Sequence, residues 1–135
     1  MGDELWRLGA LQLAEGIRTR RFSSREVVQA HLDRISQVNG HVNAIVKVLA
    51  ESALVAADAA DAAVQGGSRL GAFHGVPFTV KENIDIAGQP TTSGVPIFAA
   101  AIAPETAPRG GENARRGCDP PRAHEPARHG PAHPH

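Results

Sequence analysis

Residues 75–94 read GVPFTVKENIDIAGQPTTSG. The β-branched and aromatic run Phe78-Thr79-Val80, bounded by Pro77 and a polar turn, predicts a short strand. That run ends on Lys81. A lysine there usually follows the chain out to water, because charged side chains are rarely buried. Held inside, it would lose hydration, its pKa would fall, and the free amine would serve as a base. Glu82 and Asp85 read as polar turn residues. The hydroxyls of Thr91, Thr92 and Ser93 suit bonds to nearby backbone.

Working outward, the upstream chain is patterned for helices. Leu5, Leu8, Leu11 and Leu13 with Trp6 predict a short amphipathic helix that Gly16 weakens or ends. Trp6 reads as a packing anchor. SSREVVQAHLDRISQVNG opens on a capping box, Ser23 with Glu26, and carries Val28, Leu32 and Ile35 on one face. Asn39-Gly40 is its expected stop. VNAIVKVL (residues 42–49) is either a strand or the start of the next helix. ESALVAADAADAAVQGG has high helix propensity and a Gly-Gly end. The order is helix, helix, a short strand if 42–49 forms one, helix, strand: the front of an α/β domain.

The totals narrow the function classes. A chain of 135 residues is one small domain or a piece of a larger one. Zero formal net charge gives no global field for nucleic acid or an anionic membrane. One cysteine, Cys118, excludes an internal disulfide framework. Apolar runs fall well short of the ~20 residues that span a bilayer. The acidic, amphipathic start lacks a secretory signal's order, so a cytoplasmic location is expected.

LGAFHGVPFTVKENIDIAGQPTTSG resembles the N-terminal hallmark of the amidase signature family, serine hydrolases of amide bonds. Leu70, His74, Gly75, Val76, Pro77, Val80, Lys81, Glu82, Gly88, Thr91 and Thr92 stand where the family's elements stand. The lead-in matches too: a Ser-x-x-Glu-Val-Val helix, an Asn43-Ala44-x-Val46 segment and an Ala/Asp-rich helix. The resemblance covers residues 5–108. It implies an α/β fold, the N-terminal part of a mixed central sheet covered by helices. It also implies that Lys81 is catalytic in a Ser–Ser–Lys triad. There the neutral amine takes a proton, through a bridging serine, from the nucleophilic serine, and backbone N–H groups hold the oxyanion. The implied substrate is a small-molecule amide, with no metal, organic cofactor, nucleic acid or membrane partner. His31 and His41 read as surface or helix-end residues. His74 helps shape the start of the strand, with no chemistry of its own.

Both family serines are expected downstream, in a Gly/Ser-rich segment that this sequence does not contain; Ser93 is its last serine. Hydrolysis by the chain as written is therefore not expected. From Arg109 on, RGGENARRGCDPPRAHEPARHGPAHPH has no Val, Ile, Leu, Phe, Met or Trp. Such a tail is expected to be disordered. Read one base later, the codons for residues 109–134 permit VVEKMRAAGAIPLARTNLPDMALR, an amphipathic helix, a Gly, a short strand and a Thr-Asn turn. This resembles the family's continuation and points to a one-base frameshift near codon 108. Residues 1–108 are then an incomplete amidase domain and 109–135 an out-of-frame tail, with aggregation or chaperone contact expected from the uncovered helix faces. A different reading makes the tail a metal- or partner-binding device built on Cys118, His124, His129, His133 and His135. Its spacing matches no standard zinc pattern. A basic nucleic-acid-binding tail is weaker still, since it lacks aromatics for stacking.

Overall fold

The computed structural model describes residues 2–107; the tail, with its expected disorder and His cluster, lies outside the described residues. The chain runs through a 3-10 helix Gly2–Arg7, then α1 (Ala10–Arg18), α2 (Ser24–Val42), α3 (Ala50–Gln65) and a 3-10 turn Pro96–Phe98. α2 packs on α3 and on the first 3-10 helix.

The single N-terminal helix expected from the leucine spacing is two elements. Gly9, extended at φ −71°, breaks them, and its N–H donates to Gln12 Oε1 at 2.9 Å. Gly16 does not end α1. The helix passes through it to Arg18, and the residue is buried because the Phe22 ring occupies the space a side chain would need. A Cβ there would stand 2.0 Å from Phe22 Cζ. The chain reverses at Arg20, a non-glycine residue at φ +58°, whose guanidinium donates to Val64 O at the end of α3 (3.0 Å).

α2 starts where the capping box places it. Glu26 N donates to Ser23 Oγ, and Ser23 N donates to Glu26 Oε2 at 2.7 Å. These bonds lower the Glu26 pKa, the backbone N–H first and the hydroxyl second, against a small opposing effect of burial. The expected stop at Asn39-Gly40 is displaced. α2 continues to Val42 and ends at Asn43 in the left-handed region (φ +46°). Asn39 acts there through its side chain: Oδ1 accepts from Ala44 N and Ile45 N, while Nδ2 donates to Ile45 O.

The core gathers Leu5, Leu13, Ala14, Ile17, Val27, Ala30, Val64 and Val76, flanked by Leu8, Phe22, Leu70 and Phe73. Each large member stabilises the fold by about 1.5–3 kcal/mol on transfer from water. Trp6 lies half-buried between Arg34 (4.4 Å to the ring centroid) and Arg7 (4.9 Å). It is an anchor, as expected, through cation–π stacking.

The expected sheet does not form among the described residues. Residues 43–49 are neither strand nor helix, and residues 76–81 run without turn, bend or ladder. One antiparallel bridge, Pro90 with Ile102, is the sole β pairing described. A β-propensive segment needs a neighbour to accept and supply ladder hydrogen bonds, and residues 2–107 place none beside these two. The described part is thus helical, with an irregular arm from residue 66 onward. No helix in it is long and apolar enough to cross a membrane.

Candidate functional site

An open groove of about 1050 Å³ lies between α2, α3, the 43–49 connection and the 75–82 run. Its floor is apolar: Val28, Leu32 and Ile35 from α2, Ala53 and Ala56 from α3. Lys81, Lys47, Glu82 and His31 line it as well. Capping and helix period place the α2 residues, because four- and three-residue spacings stack on one face.

The 75–82 run is fixed at its start by a three-way clamp. Ser24, the first residue of α2, is fully buried, and its Oγ donates to Gly75 O at 2.6 Å. Its backbone N–H donates to Asp61 Oδ1 of α3 at 2.7 Å, and Arg25 N donates to the other carboxylate oxygen at 3.1 Å. His74 Nε2 lies 2.9 Å from Ala60 O, where a protonated nitrogen donates. Gly75 is required twice over: φ is +76°, and a Cβ would meet Ser24 Oγ at 2.9 Å and Ser24 Cβ at 3.0 Å. Val76 is buried behind it, and Pro77 sets the direction in which the chain leaves.

Lys81 ends that run. Its side chain is exposed on the groove, with no hydrogen bond or ion pair from Nζ among the described residues. The dry environment that a lysine base needs is therefore not built by residues 2–107. Beyond Lys81 the turn is tied down locally: Ile84 N donates to Lys81 O (3.0 Å), and Thr92 Oγ1 donates to Glu82 Oε1. Glu82 is thus a turn residue, as expected. Asp85 is exposed and contributes its backbone carbonyl to Ala107 N. Thr92 Oγ1 accepts from Gly94 N, whereas Thr91 Oγ1 is buried with no partner among the described residues. Lys47 Nζ donates to Gln89 Oε1 at 2.6 Å and joins the 43–49 connection to this turn.

Of the histidines, His41 is exposed at the end of α2, and His31 Nδ1 lies 2.7 Å from Val27 O. His74 shapes the run's start, as its sequence position suggested. Among the described residues no group of three or more His, Cys, Asp or Glu is placed to hold a metal. Ser24 and Asp61 escaped the sequence reading because their partners lie 51 and 37 residues away, where no local pattern points.

A model of the Amidase family matches residues 26–108, from the capping box to the composition break. The chain is 46% identical over 104 residues to an indoleacetamide hydrolase of Bradyrhizobium diazoefficiens. It is 43% identical over 102 residues to a glutamyl-tRNA(Gln) amidotransferase subunit of Acidothermus cellulolyticus. These matches cover 77% and 76% of this chain, which spans about 20% of each relative's length. In structure it is similar to a bacterial aryl acylamidase of the amidase signature enzymes. That match has a TM-score of 0.78 at 24% identity and covers 84% of this chain and 24% of that one. A likeness at that identity carries the fold alone; with the family match over more than half its length, this chain belongs to the amidase family.

Proposed function

We propose that residues 1–108 are the front of an amide-hydrolysing enzyme of the Ser–Ser–Lys type, with Lys81 its base. The observation that supports this reading is that Lys81, at the end of the unbent run clamped at Gly75, is among the residues lining the groove. In the reaction, the nucleophilic serine attacks the amide carbonyl while its proton passes through a bridging serine to the lysine amine. The C–N bond then breaks, the proton goes to the departing amine, and water releases the acid from the acyl-enzyme. Both serines come from sequence not present in residues 1–135. The substrate class is a small carboxamide, in keeping with the amide-hydrolysing relatives, and the chemistry takes place in the cytoplasm with no metal.

On this reading the 135-residue chain does not hydrolyse amides, for two reasons. No serine follows Ser93. Lys81 is exposed, with no hydrogen bond or ion pair to orient its amine among the described residues. Residues 109–135 are the out-of-frame reading of codons that, one base on, continue the family sequence. The test is to read the nucleotides around codon 108 and compare the 135-residue chain with the frame-restored chain on a panel of primary amides. Ammonia release by the restored chain alone is the expected result. An early stop in the shifted frame, or equal activity of both chains, overturns the proposal.

A further inference from the structure

The groove presents an apolar floor to solvent: Leu32, Ile35, Ala53 and Ala56 lie outside the core cluster, and the groove-lining Val46 and Val48 are exposed. The same chain carries a second apolar surface away from the groove. Val95, Ile97, Phe98 and Ile102 are four of the nine exposed large apolar side chains among the described residues, Ile97 at 82% and Ile102 at 55%. None of the four lines the groove. Residues 86–104 contain no charged side chain, whereas an exposed segment normally carries charges that keep other chains off it. Apolar surface of this kind marks a contact site.

The 95–102 segment is held off the groove of its own chain. Gly88 N donates to Ala103 O (2.9 Å), Ala103 N to Gln89 O (3.0 Å) and Thr91 N to Ala101 O (3.3 Å), which pins its two ends together. Between them Phe98 N donates to Val95 O (3.0 Å) and Ala101 N to Phe98 O (2.9 Å), so residues 95–101 are wound into tight turns. A groove that this segment can enter therefore belongs to another copy. The backbones are complementary too. The N–H groups of Phe78, Thr79 and Val80 on the groove have no partner among the described residues, and neither do the carbonyls of Ile97, Ala99 and Ile102. Zero formal net charge sets up no repulsion between copies. Residues 109–135, without Val, Ile, Leu, Phe, Met or Trp, are poor competitors for an apolar floor.

We propose that the groove of one copy is the seat of residues 95–102 of a second copy of this chain. The incoming Ile97, Phe98 and Ile102 cover Leu32, Ile35, Ala53 and Ala56, while Lys81 at the end of its run keeps its ammonium in water. Each chain has one groove and one such segment, so the contact joins unlike surfaces. Two copies close it reciprocally, or further copies extend it head to tail. The inference needs neither catalysis nor any reading of residues 109–135, so it stands or falls apart from the proposed function.

The test is analytical ultracentrifugation of the 135-residue chain from about 1 to 100 µM, where the average mass is expected to rise above the monomer's. Ile97→Asp changes the most exposed side chain of the 95–102 segment, and Ile35→Glu changes the groove floor. Each alone is expected to weaken association about tenfold or more, with helical content unchanged. Mixing the two variants restores it one-to-one, because the first keeps an intact groove and the second an intact 95–102 segment. Leu11→Glu, exposed on α1 and on neither surface, leaves association unchanged. Where Ile35→Glu lowers helical content, Ala53→Gln replaces it. A parent chain that is monomeric at about 100 µM overturns the proposal. So does parent-like association of Ile97→Asp, which makes the contact groove on groove, or of the floor variant, which makes it segment on segment. A mixture of the two variants that stays monomeric also overturns it. For a parent too insoluble to centrifuge, Ile97→Asp is expected in the soluble fraction, and its remaining as insoluble as the parent overturns the proposal.

Discussion

Replacing Ser24 by Ala removes one oxygen from the point where α2, α3 and the 75–82 run meet. The Ser24 Oγ–Gly75 O bond is 2.6 Å long, and the donor residue is fully buried. A neutral hydrogen bond contributes about 1 kcal/mol net, but an acceptor left unpaired in the interior costs about 1–3 kcal/mol. The volume lost is a single hydroxyl oxygen, so packing adds little, and the Ser24 N–H to Asp61 bond survives. Ser24→Ala should therefore cost about 1–3 kcal/mol. Gly75→Ala meets two penalties. The left-handed φ of +76° costs about 1–2 kcal/mol, and a Cβ 2.9–3.0 Å from Ser24 atoms forces a shift of about 1–3 kcal/mol. The two substitutions must couple, because Ser24→Ala removes the 2.9 Å contact while leaving the 3.0 Å one. The double variant is expected to cost less than the sum. Urea unfolding followed by the fluorescence of the single Trp6 and by helical circular dichroism gives these values. A Ser24→Ala cost inside the roughly 0.5 kcal/mol scatter of surface changes, or strict additivity with Gly75→Ala, would refute the clamp.

Gly16→Ala gains about 1 kcal/mol of helix propensity but drives a methyl into the Phe22 ring, so a net loss of stability is expected, partly recovered by adding Phe22→Leu; a more stable Gly16→Ala rejects that packing. Glu26→Gln keeps a capping-box acceptor but removes the negative charge at the start of α2, at a cost of about 0.3–1 kcal/mol. Because the folded-state pKa of Glu26 is lowered, its contribution is complete above the unfolded carboxylate value and fades as pH falls through the folded one. The acid limb of a stability–pH curve should therefore be flatter in Glu26→Gln; parallel limbs would contradict the cap's charge. Arg25→Ala, which breaks an exposed 2.6 Å pair with Asp58, should cost under about 1 kcal/mol in the same unfolding assay. Lys81→Ala should leave the stability of the 135-residue chain within about 0.5 kcal/mol, since its side chain is exposed there.

The helices were legible wherever their determinants are local. The Ser23/Glu26 capping box lies within four residues, and the Ala-rich stretch of α3 forms its helix on propensity. Their ends were less legible: Gly16 and Gly40 look like breakers. The first is tolerated because Phe22 needs the room, the second because Asn43, not Gly40, adopts the left-handed conformation. FTV carries strand propensity without a strand, because a ladder depends on a neighbour that propensity cannot supply. The position of Lys81 at the end of the 76–81 run was legible from its flanking motif. Ser24, Asp61 and the turn they hold were not, because each contact joins residues far apart in sequence.

On the proposed reading of residues 109–135 as out of frame, the role of the Lys81 amine is decided by steady-state kinetics of the frame-restored chain. Removal of a positioned base is worth about 10²–10⁴ in rate, so Lys81→Ala should lower kcat on a primary amide by at least that range while the folded helical content stays the same. A restored enzyme whose Lys81→Ala variant turns over at the parent's rate would show that this amine is not the base.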